Sequence, residues 1–343
     1  MASGGKLQLA VTGERWPMKE PFAIAGYTFT HFDVIAVKLA RDGAVGRGEA
    51  AGVYYHDETP AAMIAQIEQV RAALEEGISR EELRELLPPG GARCALDSAL
   101  WDLEAKSSGV PAWRAAGLNV PAPLKTTFTV SAGTPRRMAE VARSFALAPR
   151  LKVKLTGEDD AVRLQAVRAA RPDAWIGIDA NQALTRRSLE ALLPLLTELD
   201  IRLIEQPVKV GQEEELRGLR SPIPLAADES VQSLADIASA AGLFDVVNIK
   251  LDKCGGLTEA LQMAHEIRRQ GMTAMVGCMQ GTSLAIAPAC LVGQLCEIVD
   301  LDAPVFLDSD RAARAVYEGG TVRCTVDWGF PASAKEDRKG EKK

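Results

Sequence analysis

The sequence predicts an α/β protein in which a small N-terminal α+β domain precedes a (β/α) barrel, and three observations carry that prediction. After about residue 125, eight short β-type runs alternate with amphipathic helical stretches, recurring every roughly 22 to 27 residues. The first third of the chain lacks that period and reads as strands in series followed by helices. In the second half, charged residues gather at the C-terminal ends of the β-type runs, after apolar stretches such as WIGI and VVNI.

At the N-terminus, KLQLAVTGERW (6–16), FDVIAVKLA (32–40) and RDGAVGRGEA (41–50) suggest an antiparallel meander. GAVGRGEA is glycine-rich but lacks the spacing of a dinucleotide-binding fingerprint, and it reads as a hairpin turn. Helices are expected around 59–75, 79–86 and 92–107. In the last of these, ARCALDSALWDLEAK sets Leu96, Leu100 and Leu103 on one face.

The eight β-type runs are TTFTVS (126–131), LKVKL (151–155), WIGID (175–179), RLIE (202–205), PLAAD (224–228), VVNIK (246–250), TAMVGC (273–278) and EIVDLD (297–302). Between them, LEALLPLLTEL and LTEALQMAHEIRRQG carry apolar residues at three- and four-residue intervals, as helices packed on a sheet do. Strand–helix alternation repeated eight times closes most simply into a barrel. The expected domains are 1–122 (α+β), 123–318 (barrel), a segment 319–331 returning to the first domain, and a charged, disordered tail over 332–343.

Composition narrows the function classes. With 343 residues, 47% hydrophobic and 25% charged, the chain is that of an ordinary globular protein. A net charge of -6 without a dense basic stripe argues against nucleic acid as a partner. No apolar run reaches membrane-spanning length, and the start lacks a signal-peptide pattern. The six cysteines (Cys94, Cys254, Cys278, Cys290, Cys296, Cys324) form no CxxC pair, which fits reduced thiols in the cytoplasm. HExxH, GxSxG and GxxxxGK[ST] are absent and histidines number three, so the chemistry is expected to run on carboxylates and lysines. The expected partners are a small-molecule substrate and further copies of this chain.

Barrel enzymes place their chemistry at the C-terminal strand ends. In order these ends carry Lys154, Asp179, Glu205, Asp228, Lys250 and the pair Asp300/Asp302. Three consecutive strands ending in Asp179, Glu205 and Asp228 converge on one side of the mouth. Such a set must take up protons or hold a cation, and oxygen ligands favour Mg²⁺ first and Mn²⁺ second. Lys154 and Lys250 flank it, one for each face of a bound α-carbon. A plain salt bridge to a ligand carboxylate is the alternative for either lysine. It leaves unexplained Lys152, which period two places on the same face as Lys154.

The motifs K-x-K (152–154), D-A-N (179–181), E-Q-P (205–207), D-E-S (228–230) and K-x-D-x-x-G-G (250–256) resemble the enolase superfamily, muconate-lactonizing-enzyme subgroup. The similarity extends to GRGEA…ET (46–59) and ALDSALWDLEAK (95–106). MVGCM (275–279) and D-L-D (300–302) look most like the dipeptide epimerases. The resemblance implies a capping domain on a modified TIM barrel of (β/α)7β type. It implies Mg²⁺ on Asp179, Glu205 and Asp228, and acid/base chemistry by Lys154 and Lys250 with Lys152 beside them. Asp300 and Asp302 would hold a substrate ammonium, with Gly26, Tyr27, Thr127, Cys278 and Met279 as further substrate contacts. The implied reaction is 1,1-proton transfer at the α-carbon of a dipeptide through an enediolate. N-acyl amino acid racemisation and o-succinylbenzoate synthase or cycloisomerase chemistry are the alternatives within the subgroup. A Schiff-base aldolase using Lys250, and a barrel that binds metal and peptide without turnover, compete from outside it.

The sequence departs from the resemblance in the loop of the 20s. Relatives acting on glutamate-containing dipeptides often read PF-x-I-x-R-G, whereas PFAIAGYTFTHF (21–32) has Gly26 where the arginine would fall. Tyr27, Phe29 and Phe32 make the stretch aromatic, and His31 is its one candidate cation. A weaker preference for an acidic side chain follows, unless a cation arrives from another loop. For proton abstraction, a lysine pKa near ~10.4 must fall toward roughly 7–8. A second ammonium about 5 Å away, at an effective dielectric of about 20, supplies roughly 3 kcal/mol, or about two pK units. Lys152 is the expected source of that field.

Overall fold

The computed structural model describes residues 5–324 and 327–331, so the tail expected to be disordered lies outside the described residues. Strands β1 (Gln8–Ile24), β2 (Tyr27–Arg41) and β3 (Ala44–Ala50) form an antiparallel sheet in that order. Between β2 and β3 the Asp42–Gly43 pair takes positive φ at both positions (50° and 83°), the two-residue turn that suits strand twist. The stretch read from sequence as a loop is instead paired to its tip, with Phe22 opposite Phe29 and Ile24 opposite Tyr27. Aromatic and β-branched residues on both arms favour pairing, and Gly26 (φ 78°) supplies the turn.

Helices follow at Pro60–Gln69, Arg71–Glu76, Arg80–Leu86 and Gly91–Ser108. The first is capped by Thr59 with proline at its start, and the third by a Ser79/Glu82 capping box. Gly91–Ser108 is buried along nearly its whole length and lies directly on β3. That approach requires glycine in the strand. A Cβ at Gly46 would lie 2.1 Å from the Ala99 carbonyl oxygen, and one at Gly48 1.9 Å from that of Ala95.

After the short β4 (Leu124–Lys125), eight parallel strands run in chain order around the second domain: β5 (Phe128–Val130), β6 (Arg150–Lys154), β7 (Trp175–Asp179), β8 (Ile201–Glu205), β9 (Leu225–Ala227), β10 (Val246–Ile249), β11 (Thr273–Gly277) and β12 (Ile298–Asp300). The seam between β12 and β5 is bridged by Thr127 N–H to the Val299 carbonyl (3.0 Å) and Leu301 N–H to Thr126 Oγ1 (2.9 Å). Strands β13 (Val316–Glu318) and β14 (Thr321–Arg323) pair with β4 in a small sheet. Beyond it, Trp328 Nε1 donates to the Arg47 and Ser98 carbonyls of the N-terminal domain.

The barrel's outward faces pack on its helices, with Leu151, Val153 and Leu155 fully buried there. Inside, Leu203, Ala226, Val246 and Met275 form an apolar plug. The period of two then carries Lys152, Lys154, Asp179, Glu205 and Asn248 into the interior above it. The motifs GRGEA and ALDSALWDLEAK do not reach this interior and instead dock the domains. Glu49 accepts from Thr282 N–H (2.7 Å) and Arg311, Asp97 from Thr258 N–H, and Trp101 Nε1 donates to Thr258 Oγ1. Among the described residues no helix is long and apolar enough to cross a membrane.

Candidate active site

Register brings the charged strand ends into one layer, with Lys154 opposite Asp179 and Asp179 opposite Glu205. Asp228 follows β9 and Lys250 follows β10. Oxygens of Asp179, Glu205 and Asp228 all lie within 4.8 Å of one another, and all three residues are buried. Glu205 Oε2 has no aligned hydrogen-bond donor, although Lys152 Nζ stands 2.8 Å away. A buried cluster of hard oxygen donors with one lone pair left over fits Mg²⁺.

Lysines hold the cluster from both flanks. Lys154 Nζ donates to Asp179 Oδ2 at 2.6 Å and to Asn181 Oδ1 at 3.2 Å. On the other flank Lys250 Nζ donates to Asp228 Oδ2 at 2.6 Å. Both lysines therefore make the plain salt bridge weighed above, and do so on opposite sides of the triad.

Lys152 corrects the sequence reading. The plain salt bridge, which left Lys152 unexplained, applies to it as well: its Nζ lies 2.8 Å from Asp300 Oδ2, 2.8 Å from Glu205 Oε2 and 3.0 Å from Asp179 Oδ2. Lys152 and Lys154 share one Asp179 oxygen, so their ammonium groups are at most roughly 5.6 Å apart, as the field argument required. The ligand carboxylates oppose that field at Lys152 and Lys250. Burial alone would lower both, but Asp179, Asp300 and Glu205 outweigh it at Lys152, and Asp228 at Lys250, holding each well above the usual lysine value.

The carboxylates divide accordingly. Burial pushes Glu205 up to about 8, helped by Asp179 and opposed by Lys152. Asp179 falls to about 2 despite its burial, because Lys152 and Lys154 face it, and Asp228 is driven lower by Lys250 and Lys253. Across the cavity burial also opposes ionisation of Asp300, and Lys152 and Thr127 overcome it. Asp302 is pushed up to about 7 by burial and by Asp300.

The cavity wall includes Lys152, Lys154, Asp228, Lys250, Cys278, Met279, Asp300 and Asp302. Gly26, Tyr27 and Thr127 are not in it. Gly26 occupies the hairpin turn, and Tyr27 is 46% exposed with its ring stacked against Phe29. Thr127 lies behind the wall and donates its hydroxyl to Asp300 Oδ1. Phe22, Ile24, Phe29 and Phe32 line the cavity in place of the two hairpin residues named from sequence, joined by Tyr54 and Tyr55 of the following loop.

Several residues of the site were not read from the sequence. Asn248 Nδ2 donates to Glu205 Oε1 at 2.8 Å, in space left by Gly277, where a Cβ would lie 2.7 Å from the Asn248 amide oxygen. Its inward parity with Lys250 in VVNIK was an available signal. Lys253, fully buried, donates to Asp228 Oδ1 at 2.7 Å and to the Asn248 carbonyl at 3.1 Å. A second lysine three residues after Lys250 was the hint there. Gln206 Oε1 accepts from Asp228 N–H at 2.9 Å and Ser230 N–H at 3.1 Å, fixing one motif against the next, and no sequence pattern announces that contact.

Residues 6–117 match the mandelate racemase / muconate lactonizing enzyme N-terminal domain, and residues 136–336 match the enolase C-terminal domain-like family. The chain is similar to the L-Ala-D/L-Glu epimerase of Escherichia coli (strain K12), 40% identical over 299 residues covering 87% of this chain and 93% of the relative. It is also similar to the hydrophobic dipeptide epimerase of Roseobacter litoralis, 34% identical over 319 residues covering 88% and 91%. A solved structure of an enolase family member from Agrobacterium tumefaciens with homology to dipeptide epimerases, holding sodium and L-Ala-L-Glu, matches with a TM-score of 0.90. The two are 42% identical, and the match covers 95% of this chain and 98% of that chain. With both domains matched and relatives of this identity spanning most of its length, the chain belongs to the enolase superfamily.

Proposed function

We propose that this protein is a Mg²⁺-dependent dipeptide epimerase, an isomerase that inverts the α-carbon next to the free carboxylate of a dipeptide. The observation that carries the reading is two lysines at opposite flanks of one carboxylate triad, with the Asp300/Asp302 pair in the same cavity. Asp179, Glu205 and Asp228 would hold Mg²⁺, which offsets the negative charge that builds on a carboxylate as its α-proton leaves. Lys154 takes or returns that proton on one face of the carbon and Lys250 on the other, so inversion follows from their placement. Asp300 and Asp302 receive the substrate's ammonium. That pair favours a dipeptide over the N-acyl racemase and cycloisomerase-type alternatives: Asp300 already has Lys152, whereas Asp302 has no ion-pair partner among the described residues, and a substrate ammonium would supply one. Six scattered cysteines without a CxxC pair fit a cytoplasmic setting, where we expect a homo-oligomer.

The test is incubation with dipeptide pools and Mg²⁺ in D₂O. Deuterium is expected at the α-carbon next to the carboxylate, and its absence with every dipeptide would sink the proposal. Lys154→Ala and Lys250→Ala should each abolish epimerisation, while each retains exchange from the face served by the remaining lysine. Equal epimerisation by both variants would refute the two-lysine mechanism.

A further inference from the structure

Resting on the epimerase reading, we infer that the residue being inverted carries an apolar side chain, aliphatic or aromatic, rather than the carboxylate of glutamate. With the α-carbon between Lys154 and Lys250 and the ammonium at Asp300/Asp302, the largest apolar stretch of wall open to that side chain is Phe22, Ile24, Phe29, Phe32, Tyr54 and Phe306, while the polar lining of Thr129, Asn181, Glu229 and Gln280 includes no cation. Phe22 and Phe29 face each other across the hairpin, and Phe22 packs edge-on against Phe306 at 5.1 Å. Tyr54 closes the other side, 5.4 Å from the Phe29 ring. These contacts make one continuous apolar wall.

Cations that could pair with a substrate carboxylate are committed elsewhere. Within the hairpin, Arg15 forms two hydrogen bonds to Asp33 and His31 lies 3.3 Å from Asp33, while Lys19, which donates to the Val305 carbonyl at 2.8 Å, does not line the cavity. From further along the chain, Arg311 is bound by Glu14 and Glu49. Among the described residues the only cations in the wall are Lys152, Lys154 and Lys250, all held by carboxylates of the reaction centre. One neutral donor, Gln280 Nε2, is buried without a partner, and an amide does not balance a carboxylate's charge.

The consequence has a size. A glutamate side chain entering such a wall stays charged without a counter-ion or takes up a proton. Protonation at pH 7 against a pKa of about 4.3 costs a factor of roughly 500. Residual water at the cavity mouth softens this, so kcat/KM for L-Ala-L-Phe and L-Ala-L-Leu should exceed that for L-Ala-L-Glu by at least about tenfold.

The experiment measures α-deuterium incorporation from D₂O with each of the three dipeptides at saturating Mg²⁺. Preference for the phenylalanine or leucine substrate supports the inference, and equal or better turnover of L-Ala-L-Glu overturns it while leaving the epimerase reading intact. Absence of exchange with all three and with the wider dipeptide pool would fail that reading itself. Phe29→Arg places a cation in the wall and should raise the Glu-to-Phe ratio at least about tenfold. Ile24→Arg repeats the test from the paired strand should the first variant not fold. An unchanged ratio in a folded variant would put the side chain elsewhere and overturn the inference.

Discussion

Lys152 is the residue whose removal tests most of this structure at once. Its Nζ is within 3.0 Å of three carboxylates and the residue is 4% exposed. Lys152→Met keeps the stem and removes the charge. With Glu205 pushed up to about 8, two of the three contacts, to Asp179 and Asp300, are fully ionic at neutral pH. Each is worth roughly 6 kcal/mol of gross attraction at an effective dielectric of about 20, most of it cancelled by the cost of burying the charges. Asp179 retains Lys154, whereas among the described residues the Asp300 carboxylate retains only the Thr127 hydroxyl as a hydrogen-bond donor. Stranding a buried carboxylate costs roughly 3–5 kcal/mol, a large share of the roughly 5–15 kcal/mol that holds a protein folded. Urea denaturation in the presence of a chelator should show that loss. Saturating Mg²⁺ should shrink it, because the variant cluster has a greater deficit of positive charge for the ion to fill. The acid limb of the pH–rate profile should also move to higher pH, since the ammonium nearest Lys154 is gone. A stability loss below about 1 kcal/mol in chelator would refute the assignment of Lys152 as the charge that joins Asp300 to the triad.

Three further predictions follow from neighbouring contacts. Asn248→Ala removes the donor that orients Glu205, and Mg²⁺ affinity measured by calorimetry should fall about 10–100-fold; unchanged affinity would show that Glu205 needs no such support. Burial pushes Asp252 up to about 7, while its Oδ1 accepts from Ala51 N–H at 2.8 Å and Gly52 N–H at 2.9 Å. The native state then binds a proton that the unfolded chain releases near ~4. This group's contribution to stability therefore falls as pH rises from about 4 to about 7 and is level above that. Asp252→Asn preserves the acceptor and should remove up to about 1.4 kcal/mol per pH unit of that slope; parallel denaturation curves for wild type and variant would contradict it. Gly48→Ala drives a Cβ to 1.9 Å from the Ala95 carbonyl oxygen and should cost about 3 kcal/mol or more, read as a lower urea midpoint.

What the sequence determined by itself is what depends on local order. Period two in LKVKL and VVNIK sets which side chains share a face, and the recurrence of strand and helix sets the barrel. Termination of apolar runs by Asp179, Glu205 and Asp228 sets three carboxylates at one rim. Each of these is a property of a segment that any packing must respect. The tertiary structure decided which charges meet. Lys152 reaches Asp300 across the seam between the first and last strands, 148 residues apart in the chain. Lys253 turns back on Asp228, and Asn248 reaches Glu205 only because Gly277 leaves room. The cavity wall is likewise a tertiary fact. Pairing through to the hairpin tip commits Gly26 to a turn and lets Phe22 and Phe29 line the cavity. Segment periodicity carries no information on how two distant elements approach, and the charge balance of a buried site is set entirely by that approach.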